Sequence, residues 1–237
     1  MTRLGMITPS SNTVLEPMTY AMLAAAPTAT AHFARFKVTE IGLGTAALGQ
    51  FDVDPILAAA ELLRHAKCDV IAWNGTSASW LGIDRDEALV ARIEAATGIR
   101  AATCVLGYRD AFRSLDARRI GLVTPYTSDV QERIRATWGG AGFTCIAEQH
   151  CGLADNFSFA EVTEDRIEEM CRTVAAQGCD AVAIVCTNMR GARVAARLER
   201  ELGIPILDSV AVTLWASLRA AGASCEPFTE WGRIFAL

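Results

Sequence analysis

The stretch RLGMITP at residues 3–9 returns as RIGLVTP at residues 119–125. Each copy is a short apolar run that ends in Thr-Pro, which is typical of a buried strand leading into a turn. Two further pairs follow in the same order: CDVIAWNGT (68–76) matches CDAVAIVCT (179–187), and TGI (97–99) matches LGI (202–204). Three matches in one order indicate an internal duplication, and therefore two similar halves.

Strand-like and helical segments alternate along the whole chain. Short apolar runs predict strands over 3–8, 31–38, 69–73, 99–103, 119–124, 143–148, 181–186 and 205–208. Apolar residues at helical spacing predict helices over 13–25, 54–67, 86–98, 105–115, 128–141, 163–178, 191–202 and 211–221. This alternation predicts an α/β fold of two lobes, each a four-stranded parallel sheet flanked by helices. We expect residues 1–103 plus 210–237 to form the N-terminal lobe and residues 104–209 the C-terminal lobe.

The overall composition excludes several classes of protein. The chain has 237 residues, 51% of them hydrophobic, and a formal net charge of −5, which is ordinary for a soluble domain with a real core. An acidic balance argues against nucleic acid as a partner, because phosphate binding needs a basic face. No apolar run approaches the ~20 residues of a membrane span. The first residues read as a strand and a turn, so we expect a cytoplasmic protein without a membrane partner.

The cysteines and histidines do not form a recognisable metal site. Eight cysteines occur without any C-x-x-C pair, and the three histidines are scattered, whereas a zinc site shows close Cys/His spacing. In a long chain without a leader, reduced thiols are expected. The stretch GLGTAA (42–47) fits a dinucleotide-binding pattern. A dinucleotide-binding site has this pattern directly after the first strand, whereas residues 42–47 lie further along the chain. We therefore interpret the stretch as a flap at the mouth of a cleft.

Polar turns follow four of the predicted strands. They are TPSSNT (8–13), NGTSAS (74–79), TPYTS (124–128) and CTNM (186–189). Ligands of parallel sheets bind beyond the carboxyl ends of the strands, so all four turns meet in one cleft if the lobes face each other. The turns offer hydroxyls, amides and backbone N–H groups at helix N-termini, without fixed positive charge. The sequence therefore predicts a site for a small-molecule carboxylate.

These turns resemble those of the aspartate/glutamate racemase superfamily, and within it the maleate cis-trans isomerases and arylmalonate decarboxylases, over essentially the whole chain. PSSNT (9–13), TPY (124–126) and ADN (154–156) are similar to isomerase elements. GTSAS (75–79) instead resembles the decarboxylase turn, in which glycine replaces the first catalytic cysteine, and WGRIF (231–235) is similar to the decarboxylase ending. The mixture is similar to the ectoine-utilisation branch of the superfamily.

The resemblance implies two flavodoxin-like lobes related by a pseudo-two-fold axis, a site between them, and no metal or organic cofactor. It places Cys186 at the second catalytic cysteine. It implies carboxylate or oxyanion binding by a group of five residues, which are Gly75, Thr76, Ser77, Tyr126 and Thr187. Substrate binding would fall to Ser11, Asn12 and Asn156. Asn12 has a second interpretation that is equally open, since asparagine also caps the helix that follows.

A single thiol restricts the chemistry. Gly75 can act neither as acid, base nor nucleophile, so a proton is expected from the Cys186 side alone. Decarboxylation needs only that: loss of carbon dioxide, an enediolate held by hydroxyl and N–H donors, and one protonation. We expect a helix N-terminus to lower the pKa of Cys186 and an apolar pocket to surround the leaving group. That pocket is expected from Val14, Leu43, Phe157 and Met189.

Two other functions stay open on the sequence alone. An isomerase or racemase acting on a small dicarboxylate or amino-acid derivative would need another group, or water, on the Gly75 side. A non-catalytic carboxylate-binding protein would need no thiol in its cleft. The decarboxylase hypothesis predicts that Cys186→Ala abolishes activity and that Gly75→Cys adds racemising ability. Exposed lobe faces lead us to expect a homo-oligomer.

Overall fold

The computed structural model describes all 237 residues. The eight strands are β1 (Thr2–Pro9), β2 (Ala29–Phe36), β3 (Val70–Trp73), β4 (Arg100–Thr103), β5 (Arg119–Thr124), β6 (Thr144–His150), β7 (Ala181–Ile184) and β8 (Ile206–Asp208). The ten helices are α1 (Leu15–Leu23), α2 (Thr45–Gly49), α3 (Val53–His65), α4 (Ala78–Leu81), α5 (Ile83–Thr97), α6 (Cys104–Ser114), α7 (Ser128–Gly140), α8 (Glu164–Ala175), α9 (Gly191–Leu202) and α10 (Ser209–Ala221).

The strands form two separate four-stranded sheets with the same topology. The first sheet has the order β2-β1-β3-β4 and the second has the order β6-β5-β7-β8. Every pairing between neighbouring strands is parallel. The predicted α/β fold of two four-stranded parallel lobes is therefore confirmed. All eight predicted strands are present, and the two short helices α2 and α4 were not predicted.

The duplicated sequence produces duplicated packing at the centre of each sheet. A side chain at Gly5 would place its Cβ 3.2 Å from Cys68 Sγ, and a side chain at Gly121 would place its Cβ 3.1 Å from Cys179 Sγ. Each central strand therefore has a glycine beside the cysteine that precedes its neighbouring strand, and a Cβ at Gly121 would also overlap Val174 Cγ1. The same two cysteines precede the predicted cleft strands, and both are buried, as expected of core thiols.

Two helices connect the halves. α10 lies against β3 and β4 of the first sheet and against α6. On α6, the hydroxyl of Tyr108 donates to the carbonyl oxygen of Ile184 at 2.6 Å, and Phe112 stacks edge-on against Trp138 of α7. A single cluster of 69 buried residues runs through both halves. The two sheets are thus held in a fixed relation, while the division at residues 103/104 and 209/210 stays a prediction.

No helix is both long enough and apolar enough to cross a membrane. No three His, Cys, Asp or Glu side chains gather in a group that could hold a metal ion.

Candidate active site

The predicted polar turns meet in one small cavity between the two sheets. It encloses about 20 Å³, which is room for about one water molecule. Its lining residues are Pro9, Val38, Ile41, Phe51, Trp73, Gly75, Thr76, Ser77, Trp80, Tyr126, Asn156, Cys186 and Thr187. Seven of the nine predicted site residues are in this set. The two that are absent are Ser11 and Asn12.

Cys186 follows the end of β7 and faces the cavity while being almost fully buried. Its exposed fraction is 3%, and its sulfur accepts a hydrogen bond from the backbone N–H of Asn188 at 3.4 Å. Burial raises the pKa of the Cys186 thiol to about 12, although hydrogen bonds from Tyr126 and Asn188 act in the opposite direction. The thiol is therefore protonated at neutral pH.

The expectation that a helix N-terminus lowers the pKa of Cys186 is wrong. α9 begins only at Gly191, and the effect of a helix N-terminus is confined to its first turn. Desolvation in the closed interior between the lobes is the dominant cause of the shift, because the charged thiolate loses its water there. A protonated thiol can donate a proton at once, but it is neither a nucleophile nor a base.

Tyr126 and Thr76 bring the two halves together beside the thiol. The Tyr126 hydroxyl lies 2.7 Å from Thr76 Oγ1, and either oxygen can be the donor. Burial raises the pKa of Tyr126 well above its ordinary value, and the nearby Cys186 adds to this direction. The phenol is thus neutral and keeps its proton for hydrogen bonding. Ser77 lines the cavity directly after Thr76.

Thr187 belongs to a buried hydrogen-bond network that joins the turns of both halves. Its hydroxyl donates to the backbone oxygen of Asn74 at 3.1 Å and accepts from Asn12 Nδ2 at 3.1 Å. Asn12 Oδ1 in turn accepts from the backbone N–H groups of Val14 and Leu15 at 3.0 and 2.9 Å. Asn12 therefore binds N–H groups at the start of α1, whose N-cap residue is Val14, and ties this end of the helix to Thr187.

Asn156 is the asparagine that lines the cavity. Its Nδ2 donates to Ser11 Oγ at 2.7 Å, and Ser11 Oγ donates to the Val38 carbonyl oxygen at 2.6 Å. The backbone oxygen of Asn156 accepts from Asn188 Nδ2. Ser11 thus stands behind Asn156 and orients it, instead of lining the cavity itself.

The apolar wall of the cavity differs from the predicted one. Leu43 and Phe157 are 37% and 51% exposed, and neither Val14 nor Met189 lines the cavity, so that expectation is wrong. The actual wall is formed by Val38, Ile41, Phe51, Trp73 and Trp80. A usable signal was present, since the two tryptophans stand on either side of the quoted NGTSAS turn.

The segment 38–51 covers the cavity, in the place expected for a flap. Its backbone bonds to the other half of the chain: Ile41 N–H donates to the Ala154 oxygen at 2.8 Å, and Asn156 N–H donates to the Thr39 oxygen at 2.9 Å. Gln50 closes the loop by accepting from the Thr39 N–H at 2.7 Å. Because the cavity has room for only about one water, a carboxylic acid fits only after lining side chains or this segment shift.

The side of the cavity that carries Gly75 has no room for a side chain. A Cβ at Gly75 would overlap the six-membered ring of Trp73 at atoms Cζ2, Cε2 and Cη2, far inside the 3.0 Å that real Cβ atoms keep. A side chain at position 75 therefore requires the Trp73 indole to move, and the expectation that Gly75→Cys adds racemising ability stays a prediction. No carboxylate, imidazole or amine lines the cavity, and its only titratable side chains are Cys186 and Tyr126.

Two parallel α/β lobes that enclose a buried cysteine between hydroxyl-bearing turns define a class of protein, the two-lobed fold shared by arylmalonate decarboxylases and maleate isomerases. The sequence profile of the arylmalonate decarboxylase family matches residues 4–235. The chain belongs to this family.

Relatives of both activities are similar to the chain over most of its length. It is 25% identical to the arylmalonate decarboxylase of Bordetella bronchiseptica over 205 residues, covering 84% of this chain and 85% of the relative. It is 28% identical to the maleate isomerase of Nocardia farcinica over 231 residues, covering 92% and 89%. The family membership therefore leaves both reactions open.

Solved structures of both kinds share the fold. A cysteine-to-serine mutant of the Nocardia farcinica maleate cis-trans isomerase, with a covalently bound succinylcysteine intermediate, gives a TM-score of 0.87 at 24% identity, covering 99% of this chain and 98% of that one. A liganded double mutant of arylmalonate decarboxylase gives a TM-score of 0.87 at 22% identity, covering 99% of both chains. At these identities the likeness concerns the fold.

Proposed function

We propose that the protein is a cofactor-independent decarboxylase of a small malonate-like carboxylic acid. One observation carries the proposal: Cys186 is the only thiol in the cavity, and no carboxylate, imidazole or amine lines it. A reaction that needs a proton on one face of a carbanion is served by this arrangement. A reaction that needs acid and base on opposite faces is not.

The proposed reaction has two steps. The bond between the α-carbon and one carboxyl group breaks, carbon dioxide leaves, and the electron pair stays on the α-carbon as an enediolate. Thr76, Ser77 and Tyr126 stabilise the enediolate oxygens with their hydroxyl groups. Cys186 then donates its S–H proton to the α-carbon, and the resulting thiolate recovers a proton from water.

The protonation state of the thiol supports this order of events. Burial raises the pKa of Cys186 to about 12, so the free protein holds the proton that the second step consumes. Addition to a double bond, of the kind that leaves the succinylcysteine seen in the Nocardia farcinica isomerase structure, requires a thiolate. Forming that thiolate before any carbanion exists costs free energy, because burial removes its water. In the proposed reaction the basic enediolate drives the ionisation instead.

The wall of the cavity suggests the substituent on the substrate. The cavity offers hydroxyl groups for a retained carboxylate, and part of its wall is apolar and aromatic, with Phe51, Trp73 and Trp80. A carboxylate against that apolar wall is poorly solvated, which favours its loss as neutral carbon dioxide. We therefore expect a malonate whose α-carbon carries an apolar group, in line with the name of the Bordetella bronchiseptica relative.

A maleate isomerase-like activity is the second candidate. Asn156 supplies an amide group to the cavity, which suits a second carboxylate of a small dicarboxylate. The 28% identity to the Nocardia farcinica maleate isomerase also favours it. In that case a group other than a cysteine, or water, must act on the Gly75 side.

One assay distinguishes these functions. The purified protein is incubated with α-aryl and α-alkyl malonates labelled with ¹³C in the carboxyl groups, and separately with maleate. The proposal predicts labelled carbon dioxide from a malonate, lost in Cys186→Ala and kept in Cys225→Ala. Fumarate from maleate without carbon dioxide would replace the proposal by the isomerase. Tight binding of a carboxylate without any turnover, unchanged in Cys186→Ser, would point to a binding protein.

A further inference from the structure

We infer that Trp73 is a specificity-determining residue, which closes one face of the site and confines proton delivery to the Cys186 side. Glycine at position 75 removes a thiol, but it does not by itself leave an empty face. The indole of Trp73 fills the space that a side chain at 75 would need. The inference rests on the proposed function and adds the residue that enforces it.

The geometry follows from the spacing of the two residues. Trp73 is the last residue of β3, and residues two apart in an extended chain point to the same face. The indole therefore lies over the position 75 backbone. It is fixed there, because Trp73 is 1% exposed and its ring packs against that of Phe36 with centroids 5.1 Å apart.

The second half of the chain carries different residues at the two matching positions. Trp73 pairs with Ile7 across the first sheet, and Ile184 pairs with Val123 across the second. One residue after each pair, the Asn74 N–H donates to the Ile7 carbonyl oxygen at 3.0 Å, and the Val185 N–H donates to the Val123 carbonyl oxygen at 2.9 Å. The duplication thus places Ile184 and Cys186 where the first half has Trp73 and Gly75.

The first half therefore combines a large residue, Trp73, with a glycine at position 75. The second half combines a medium-sized residue, Ile184, with a thiol at position 186. Close-packed interiors accept such exchanges only when both positions change together. A cysteine at position 75 would require a smaller residue at position 73. The pair of substitutions Trp73→Ile and Gly75→Cys copies the arrangement of the second half.

The first test is a melting-temperature cycle of four proteins: wild type, Gly75→Cys, Trp73→Ile and the double variant. Gly75→Cys alone should overpack the site and lower the melting temperature by roughly 5 °C. When Gly75→Cys is introduced into the Trp73→Ile variant, the melting temperature should change little. The effects of the two substitutions are then not additive. Equal effects of Gly75→Cys in both backgrounds would overturn the inference. If Trp73→Ile does not fold, Trp73→Phe replaces it, because phenylalanine lacks the outer ring that covers position 75.

The second test measures exchange of the α-hydrogen of the product acid in D₂O. Only the double variant, with a thiol on each face, should incorporate deuterium into a single-enantiomer product and racemise it. Exchange by Gly75→Cys at the rate of the double variant would show that Trp73 blocks nothing. A double variant that decarboxylates but does not exchange would overturn its role in proton delivery. A wild type that releases no carbon dioxide would instead count against the proposed function, while the melting cycle still tests Trp73.

Discussion

Thr76 Oγ1 of the first half and Tyr126 OH of the second half lie 2.7 Å apart inside the protein. The two hydroxyls come from opposite sheets, and each follows a strand that the duplication places at the cleft. Tyr126 also lines the cavity with Cys186, close enough that its hydroxyl counteracts part of the rise in the thiol's pKa. This contact joins the proton donor to the groups that would hold the enediolate.

Tyr126→Phe tests that arrangement. Removing the hydroxyl deletes one donor to the developing negative charge, so we expect kcat to fall by about 10²-fold while the fold persists. The ring contacts with Trp80 and Phe159 remain available to phenylalanine. Steady-state kinetics with the best malonate provide the measurement, and Tyr20→Phe, at a 53% exposed position, is the matched control. Unchanged kcat in Tyr126→Phe would remove the tyrosine from the mechanism.

Cys186→Ala should lower kcat by about 10²–10⁴-fold, the range typical of a lost general acid. Carbon dioxide release and formation of the protonated product are measured in the same assay. An enediolate that forms but is not protonated would give carbon dioxide without product. Cys225→Ala is the control, since Cys225 is another free thiol and does not line the cavity. Full activity in Cys186→Ala would contradict the assignment.

The reactivity of the thiols should follow their burial. Because the pKa of Cys186 is raised to about 12 by desolvation, little thiolate exists at pH 8. We expect iodoacetamide to modify the partly exposed Cys225 well before Cys186, as read by mass spectrometry of digests. In guanidinium the difference should vanish, because the buried environment is gone. Rapid selective labelling of Cys186 at pH 7 would mean a thiolate and would favour the isomerase.

Asp86 should make stability depend on pH. It is 2% exposed, its Oδ2 has no hydrogen-bond partner, and burial raises its pKa from 3.8 to about 7, against a hydrogen bond with Thr103 that lowers it. The folded-state pKa lies above the unfolded value. The contribution of Asp86 is therefore fully present below pH 4 and is lost as pH rises through 7.

Asp86→Asn should remove this dependence. In the wild type, Asp86 should make the free energy of unfolding lower at pH 8 than at pH 4.5. In Asp86→Asn this decrease should be smaller by on the order of 2–4 kcal/mol. Urea titrations at both pH values measure it, with the exposed Asp84→Asn as control. Identical pH dependence in Asp86→Asn and wild type would show that the carboxyl is not buried in this way.

Local patterns in the sequence were enough to predict the lobes and most of the site. Matched strands and turns placed Gly75 opposite Cys186 because register and alternation are encoded residue by residue. A role for Asn12 at the start of α1 was also one of the two alternatives that the sequence offered. The cytoplasmic location and the homo-oligomer stay predictions.

What the sequence could not supply was the packing of one segment on another. The apolar wall comes partly from residues 38–51, whose position depends on hydrogen bonds to residues 154–156 across the cleft. The pKa of Cys186 was predicted in the wrong direction for the same reason, because burial is a property of the assembled interior. Trp73 was visible two residues before Gly75, but its orientation over that glycine depends on packing against Phe36.

In the proposed reaction, one thiol delivers one proton to one face of the carbanion. Decarboxylation of a prochiral malonate in D₂O tests it most directly, with the product analysed by NMR and chiral chromatography. The account predicts a single deuterium at the α-carbon, one enantiomer in large excess, and no further exchange when the product is returned to the protein. A racemic product, or deuterium entering unreacted substrate or maleate without loss of carbon dioxide, would contradict it.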